Sequence, residues 1–538
     1  MTKDFCLSIR FNKVFWKKVL KNSMEEGPVK KSGLFIVVLG FLFLLFAGPA
    51  NSWQGRMGGM GDPYGLVQDE SDFLIHPAGI ANGKGINFYG GYHFNYTGVM
   101  DWNYTFGTFA VEPILPMAQY EYNTSGNERR HNSLLGAAFP LGPGRMGLFF
   151  QYSGRRDDYG GDFSISKILP IGQYNMDSDL DAFALRLLYG LPMGGFKIGG
   201  EFQLAYRHEN NDTNVMDTSS FIENDPIGLF FLHTNVLAFM RPYDSKYWEA
   251  IFKGSLKGAI GPAEVVFTLR GGYIFSGENH LMYTQALASG VSGFNLGGNV
   301  KGWNIGGDLW VKYRVAKGLS IPFLLRVDYQ KKTRDGDGPG VGPDLAGFGF
   351  DYKNRERNFQ SEVGGGVDKE FGKGTRVAAG IYYGFLQDKN NLILSAFPIP
   401  YVYDFSKYPN QTEHRVILKL AGEKEISPMV AIRMGVNFFY GWANEDFNAN
   451  VNVMSIFERQ SIDGYHWGIG ASLGGTVKFQ RFSVEPFIGG GYQKWNLDGT
   501  SFSNYSPPPL LNMDKLRQEW SIGGGVSIKF DLNSKTSK

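Results

Sequence analysis

The sequence predicts an all-β fold: a transmembrane antiparallel β-barrel of about 16 strands, with roughly 14 or 18 as the alternatives, short periplasmic turns and long extracellular loops. Three observations lead there. Between Ser133 and Phe530 two long alternating runs joined by a tight turn recur about seven times, with apolar or aromatic residues at every second position and polar ones between. In Phe196 to Glu209, Ile198, Phe202, Leu204 and Tyr206 share one face, whereas Lys197, Glu201, Gln203 and Arg207 share the other. The runs are roughly twice the five or six residues of a soluble-sheet strand and approach the nine to eleven that a tilted spanning strand requires.

Composition agrees. Glycine contributes 73 of 538 residues, aromatics 15% and charged residues only 19%. A mean hydropathy of −0.21 reflects alternation averaging two unlike faces. The net charge of +2 leaves no footprint for nucleic acid.

Along the chain, Lys30 and Lys31 precede an apolar run from Leu34 to Ala47, followed by Gly48, Pro49, Ala50 and Ser52. This is the pattern of a secretory signal cut before Trp53, and the run is too short for the roughly twenty residues of a spanning helix. Residues 1–52 are thus expected to be a leader that is removed, with Met24 an alternative start to Met1. Cys6, the sole cysteine, would leave with it, excluding disulfides, cysteine nucleophiles and lipid attachment at cysteine in the exported chain.

Residues 53–84 lack periodicity and form an irregular amino-terminal segment, a possible plug. Residues 85–530 are the barrel. Its first strand runs over Gly85 to Thr97, and the hairpins begin with Ser133 to Pro140 paired with Met146 to Gly154. Six more pair 179–191 with 196–209, 247–260 with 263–275, 303–315 with 319–330, 359–371 with 376–387, 414–422 with 429–442, and 465–478 with 482–495. Glu519 to Phe530 close the set, and 531–538 are a short polar tail. Val99 to Glu121 reads as an elaborated first loop, or as the extra hairpin of an eighteen-stranded alternative, and Asn210 to Lys246 and Asp388 to Glu413 read as long outer loops. Trp248, Trp303, Trp442, Trp467 and Trp520 sit at lipid-facing positions near the outer strand ends, a predicted interfacial girdle.

The opposite parity assigns the lumen: Lys253, Lys257, Arg270, Asp308, Lys312, Arg314, Arg326, Asp328, Glu362, Arg376, Arg415, Lys419 and Arg433. A lining of both signs suits a wet interior, because unpaired charges buried without water cost several kcal/mol each. The functional expectation is an outer-membrane channel passing small solutes through a hydrated, charged lumen. The alternatives are a plugged transporter of hydrophobic compounds and a non-conducting barrel that scaffolds a surface or periplasmic partner.

Asp72-Phe73-Leu74-Ile75-His76-Pro77-Ala78-Gly79-Ile80-Ala81 resembles the Asn-Pro-Ala-Gly-Leu-Ala stretch of the long-chain fatty acid transporter family of outer-membrane barrels, with His76 for asparagine and Ile80 for leucine. The resemblance implies a barrel plugged by its amino-terminal segment that moves hydrophobic molecules, with Asp72, His76 and Pro77 in the plug or at its edge. Trp520 to Phe530 resembles the terminal strand recognised by the barrel assembly machinery, which joins the lipid bilayer and its outer-membrane lipids as an expected partner, beside a small solute of unknown identity. No His-Glu-x-x-His motif occurs, and the single Gly-x-Ser-x-Gly match, Gly470 to Gly474, falls inside the strand read over 465–478 and not at a strand-to-helix elbow, so neither an enzyme nor a cofactor is expected.

Overall fold

The computed structural model describes residues 60, 65–67, 70–107, 119–165, 169–217, 237–287, 290–343, 346–372, 374–398, 401–451, 456–503 and 510–532. The expected leader and residues 533–538 of the tail lie outside them.

Among the described residues, sixteen strands follow one another in the sheet: β1 (Asn87–Gly107), β2 (Gln119–Leu141), β3 (Gly144–Ile165), β4 (Leu169–Met193), β5 (Phe196–Asp217), β6 (Leu237–Ile260), β7 (Ala263–Leu287), β8 (Gly290–Ala316), β9 (Leu319–Val341), β10 (Gly349–Phe371), β11 (Thr375–Phe397), β12 (Tyr401–Ser427), β13 (Val430–Val451), β14 (Ile456–Phe479), β15 (Phe482–Ser503) and β16 (Leu510–Asp531). Neighbours pair antiparallel, and β1 with β16, from Asn87 opposite Asp531 to Thr105 opposite Asp514, closes the barrel. Closure leaves no edge, as a bilayer demands. The turns at one end are tight; Gly261, at φ 58°, supplies the left-handed residue of the two-residue link between β6 and β7.

Among the described residues, Val99 to Glu121 contributes to β1 and β2 alone. β1 continues to Gly107 and β2 begins at Gln119. The expected loops are also largely strand: β5 runs on to Asp217, β11 reaches Phe397, and β12 starts at Tyr401. Beyond the lipid belt both faces of a strand meet polar surroundings, so the alternation that marks a spanning segment fades while its ladder continues.

The belt itself is plain. Phe252 is 59% exposed, Ile381 61% and Met434 61%, values that a water-facing wall would not sustain over a whole circumference. Trp248, Trp303, Trp442 and Trp520 are exposed on this outer side, and Trp467 shares the outward parity. Each meets a neighbouring ring: Tyr206 against Trp248, Trp303 against Tyr329, His414 stacked on Trp442, Trp467 against Tyr492 and Tyr96 against Trp520.

Inside, apolar packing is confined to separate clusters. Two of them include residues that precede β1, which places Met60, Leu66, Val67, Phe73, Leu74 and Ile80 in the lumen.

Candidate functional site

Among the described residues, the segment ahead of β1, here called the plug, contains two short 3-10 turns, Glu70–Leu74 and Pro77–Asn82. The Asp72 carbonyl accepts the amides of Ile75 (2.9 Å) and His76 (2.6 Å), which ends the first turn. Pro77 opens the second, where its missing N–H costs nothing and its fixed φ suits the turn.

The plug packs on a wall shaped to receive it. A Cβ on Gly199 would lie 2.2 Å from the Ala78 amide nitrogen, so only glycine permits this approach of plug backbone to β5. Ala78 donates that amide to Ser255 Oγ at 2.6 Å. Ile80 fills the space left open by Gly147 and Gly190. Phe73 lies between Tyr89 and Phe149, with ring centroids 5.4 and 5.5 Å away, in a cluster with Leu74, Leu134 and Leu188. Nearer the amino terminus, Met60, Leu66 and Val67 pack on Val266, Trp310, Leu324 and Tyr382, and the Trp310 indole donates to the Gly65 carbonyl at 3.0 Å.

Cations fasten the plug backbone. Arg186 forks onto Glu201 at 2.9 and 3.0 Å and gives a further bond to the Leu74 carbonyl at 2.5 Å. Lys253 reaches the same carbonyl at 3.2 Å. Arg145 donates to the Gly85 carbonyl at 2.6 Å, and Lys197 bonds Asn82. His76, 5% exposed, faces Thr268 Oγ1 through Nδ1 at 2.7 Å. Burial is the main reason its pKa falls to about 4; Asp308 opposes the shift, while Arg326, Lys257 and Lys253 add to it.

The remaining lumen charges are engaged with one another. Asp308 holds Arg270 and Arg326, each at 2.5 Å, and Arg270 also binds Asp328. Asp368 holds Lys312 and Arg376, each at 2.7 Å. Lys257 meets Glu264, Lys419 meets Glu362, Arg433 meets Glu423, and Arg415 lies 3.4 Å from Glu413. Arg314 lines a rim cavity of about 300 Å³ with Lys197 and Lys257. Residues that precede β1 thus occupy part of the lumen, and most of these lining charges are paired with one another.

Two further layers lie toward the outer end. Lys332 and Arg334 of β9 bridge to Glu209 of β5 (2.7 and 2.5 Å), and both also meet Glu356 of β10. Beyond them, Leu281, Phe294, Leu296, Phe350, Tyr352, Leu392 and Ala396 form an inward apolar cluster, with Phe294 and Phe350 stacked at 4.6 Å.

On the strands from β13 to β16 the wall is different. There and along β1 the lumen keeps a cavity of about 450 Å³ over a glycine-rich surface.

Parity along the strands did not single out Arg186, Arg145, Trp310 or the receiving glycines, whose significance lies in what crosses from the plug; a lumen-facing charge or glycine near the periplasmic end of a strand is the signal that was available.

No protein-family model matches the chain, and no curated protein matches it. Solved structures do. A FadL homologue from Pseudomonas aeruginosa is 12% identical with a TM-score of 0.40, covering 89% of this chain and 98% of that one. The toluene transporter TodX of P. putida is 11% identical with a TM-score of 0.37, covering 89% and 99%. The Ralstonia pickettii toluene transporter TbuX is 9% identical with a TM-score of 0.38, covering 88% and 97%.

Proposed function

We propose that this protein is an outer-membrane transporter that admits hydrophobic solutes past a seated amino-terminal plug. The observation that carries the reading is the plug itself, fixed by two apolar clusters and by side-chain bonds to the carbonyls of Gly65, Leu74 and Gly85. An open diffusion pore has no use for such an obstruction. The apolar cluster at the outer end adds to it, since a path for hydrated ions gains nothing from stacked phenyl rings where solutes first arrive.

Planar-bilayer conductance tests the proposal. The full chain is expected to be nearly silent, and deletion of residues 53–83 to give large steady steps. Large steps from the full chain would return the open channel to first place, and silence from both proteins would favour a scaffold.

A further inference from the structure

Among the described residues, the plug's apolar clusters draw on strands β1 to β4, β7 to β9, β11 and β12, and include none from β13 to β16. The cavity of about 450 Å³ lies over this second wall and continues onto β1 and β2. Its size falls within the range of roughly 300–1,000 Å³ typical of small-molecule sites.

Its floor is backbone, because side chains from neighbouring strands lie down on the glycines instead of standing into the lumen. A Cβ on Gly470 would be 2.5 Å from Asn437 Oδ1, and one on Gly468 would be 2.4 Å from the Phe439 ring. Likewise a Cβ on Gly523 would be 2.8 Å from Asn95 Oδ1, and one on Gly525 would be 2.8 Å from the Phe487 ring. The His93 ring extends this surface, 5.3 Å from that of Phe487. The result is a flat basin with two phenyl rings, an imidazole and three carboxamides, of which Asn95 already donates to Thr97 and Gln493 to Glu519. Rim charges are matched: Glu128 pairs with Arg130, and Glu519 with Arg517.

We propose that this basin binds the transported solute and selects a neutral, planar molecule carrying one hydrogen-bonding group, of the size of a substituted phenol. The proposal rests on the transporter reading above and names its cargo. A flat floor flanked by rings favours a planar partner. A charged solute would shed water with no free counter-charge on the floor to meet it. A plain hydrocarbon would cover the Asn437 carboxamide without returning a hydrogen bond.

The test is ligand-observed fluorine NMR on the full-length protein in detergent, with 4-fluorophenol, fluorobenzene and 4-fluorobenzoate as probes of nearly equal size. Fluorophenol should bind saturably, and the other two about tenfold more weakly, the effect of one buried polar group left unpaired. Ser521→Trp, which raises an indole from the floor, should abolish binding. Asn437→Leu should erase the preference for the phenol while leaving fluorobenzene unaffected. Equal or tighter binding of fluorobenzene or the benzoate by the wild type overturns the proposal without reference to any variant, as does undiminished phenol binding by a folded Ser521→Trp barrel. The transporter reading fails separately, through steady conductance of the intact chain.

Discussion

His76 shows how one residue joins the plug's seating to pH. Its ring is buried, bonded to Thr268, and faces Asp308, Arg326, Lys257 and Lys253. Seated, it has a pKa of about 4, whereas a released plug exposes a histidine of ordinary value, near 6.5. The seated form therefore prefers the neutral ring. Its advantage is complete above about pH 6.5 and declines as the pH falls from there toward 4, because the released plug takes up the proton first. Conductance of the full chain should rise on acidification from pH 7 to 5, by at most about tenfold per unit. His76→Asn keeps a hydrogen-bonding group beside Thr268 but cannot titrate, and should give a flat profile. Parallel profiles for the two proteins would remove His76 from the account.

At the scale of the element, β9 illustrates what the sequence discloses and what it hides. Its spanning part alternates Ile321, Phe323, Leu325 and Val327 outward with Leu324, Arg326 and Asp328 inward, and is legible because lipid and lumen ask for opposite chemistry. Its outer part, Arg334 to Gly340, reads as a loop, being rich in glycine and aspartate. Yet it is strand, with Gly338 opposite Phe350 and Gly340 opposite Phe294. The glycines leave room for the two rings to meet above β9, and a Cβ on Gly338 would press to 2.5 Å from the Asn295 carbonyl oxygen. Gly338→Val should therefore loosen the outer extension at a cost of about 1–3 kcal/mol while sparing the spanning belt. Limited proteolysis of intact cells expressing it should show faster cleavage near residue 340 with an unchanged heat-modifiable barrel; an unchanged cleavage rate would mean that the stack bears no load.

Across the whole molecule the lumen has two unlike walls, and this is the feature least visible beforehand. Strand number and hairpin pairing follow from periodicity, which is local. The plug's place could be suggested only by the likeness of residues 72–81 to a known stretch. Which strands the described plug residues meet depends on contacts such as Gly65 with Trp310 and His76 with Thr268, 245 and 192 residues apart, and no periodicity encodes these. The asymmetry predicts opposite results from adding bulk to either wall. Gly199→Leu forces a side chain into the Ala78 backbone, so it should unseat the plug and raise ion conductance. Ser521→Trp stands over the basin floor, away from the plug clusters, so it should leave conductance low while slowing solute passage. Measured side by side in folded barrels, the pair separates a plug that closes the pore from a basin that selects its cargo. If Gly199→Leu stays as silent as the wild type, something other than the plug holds the lumen shut.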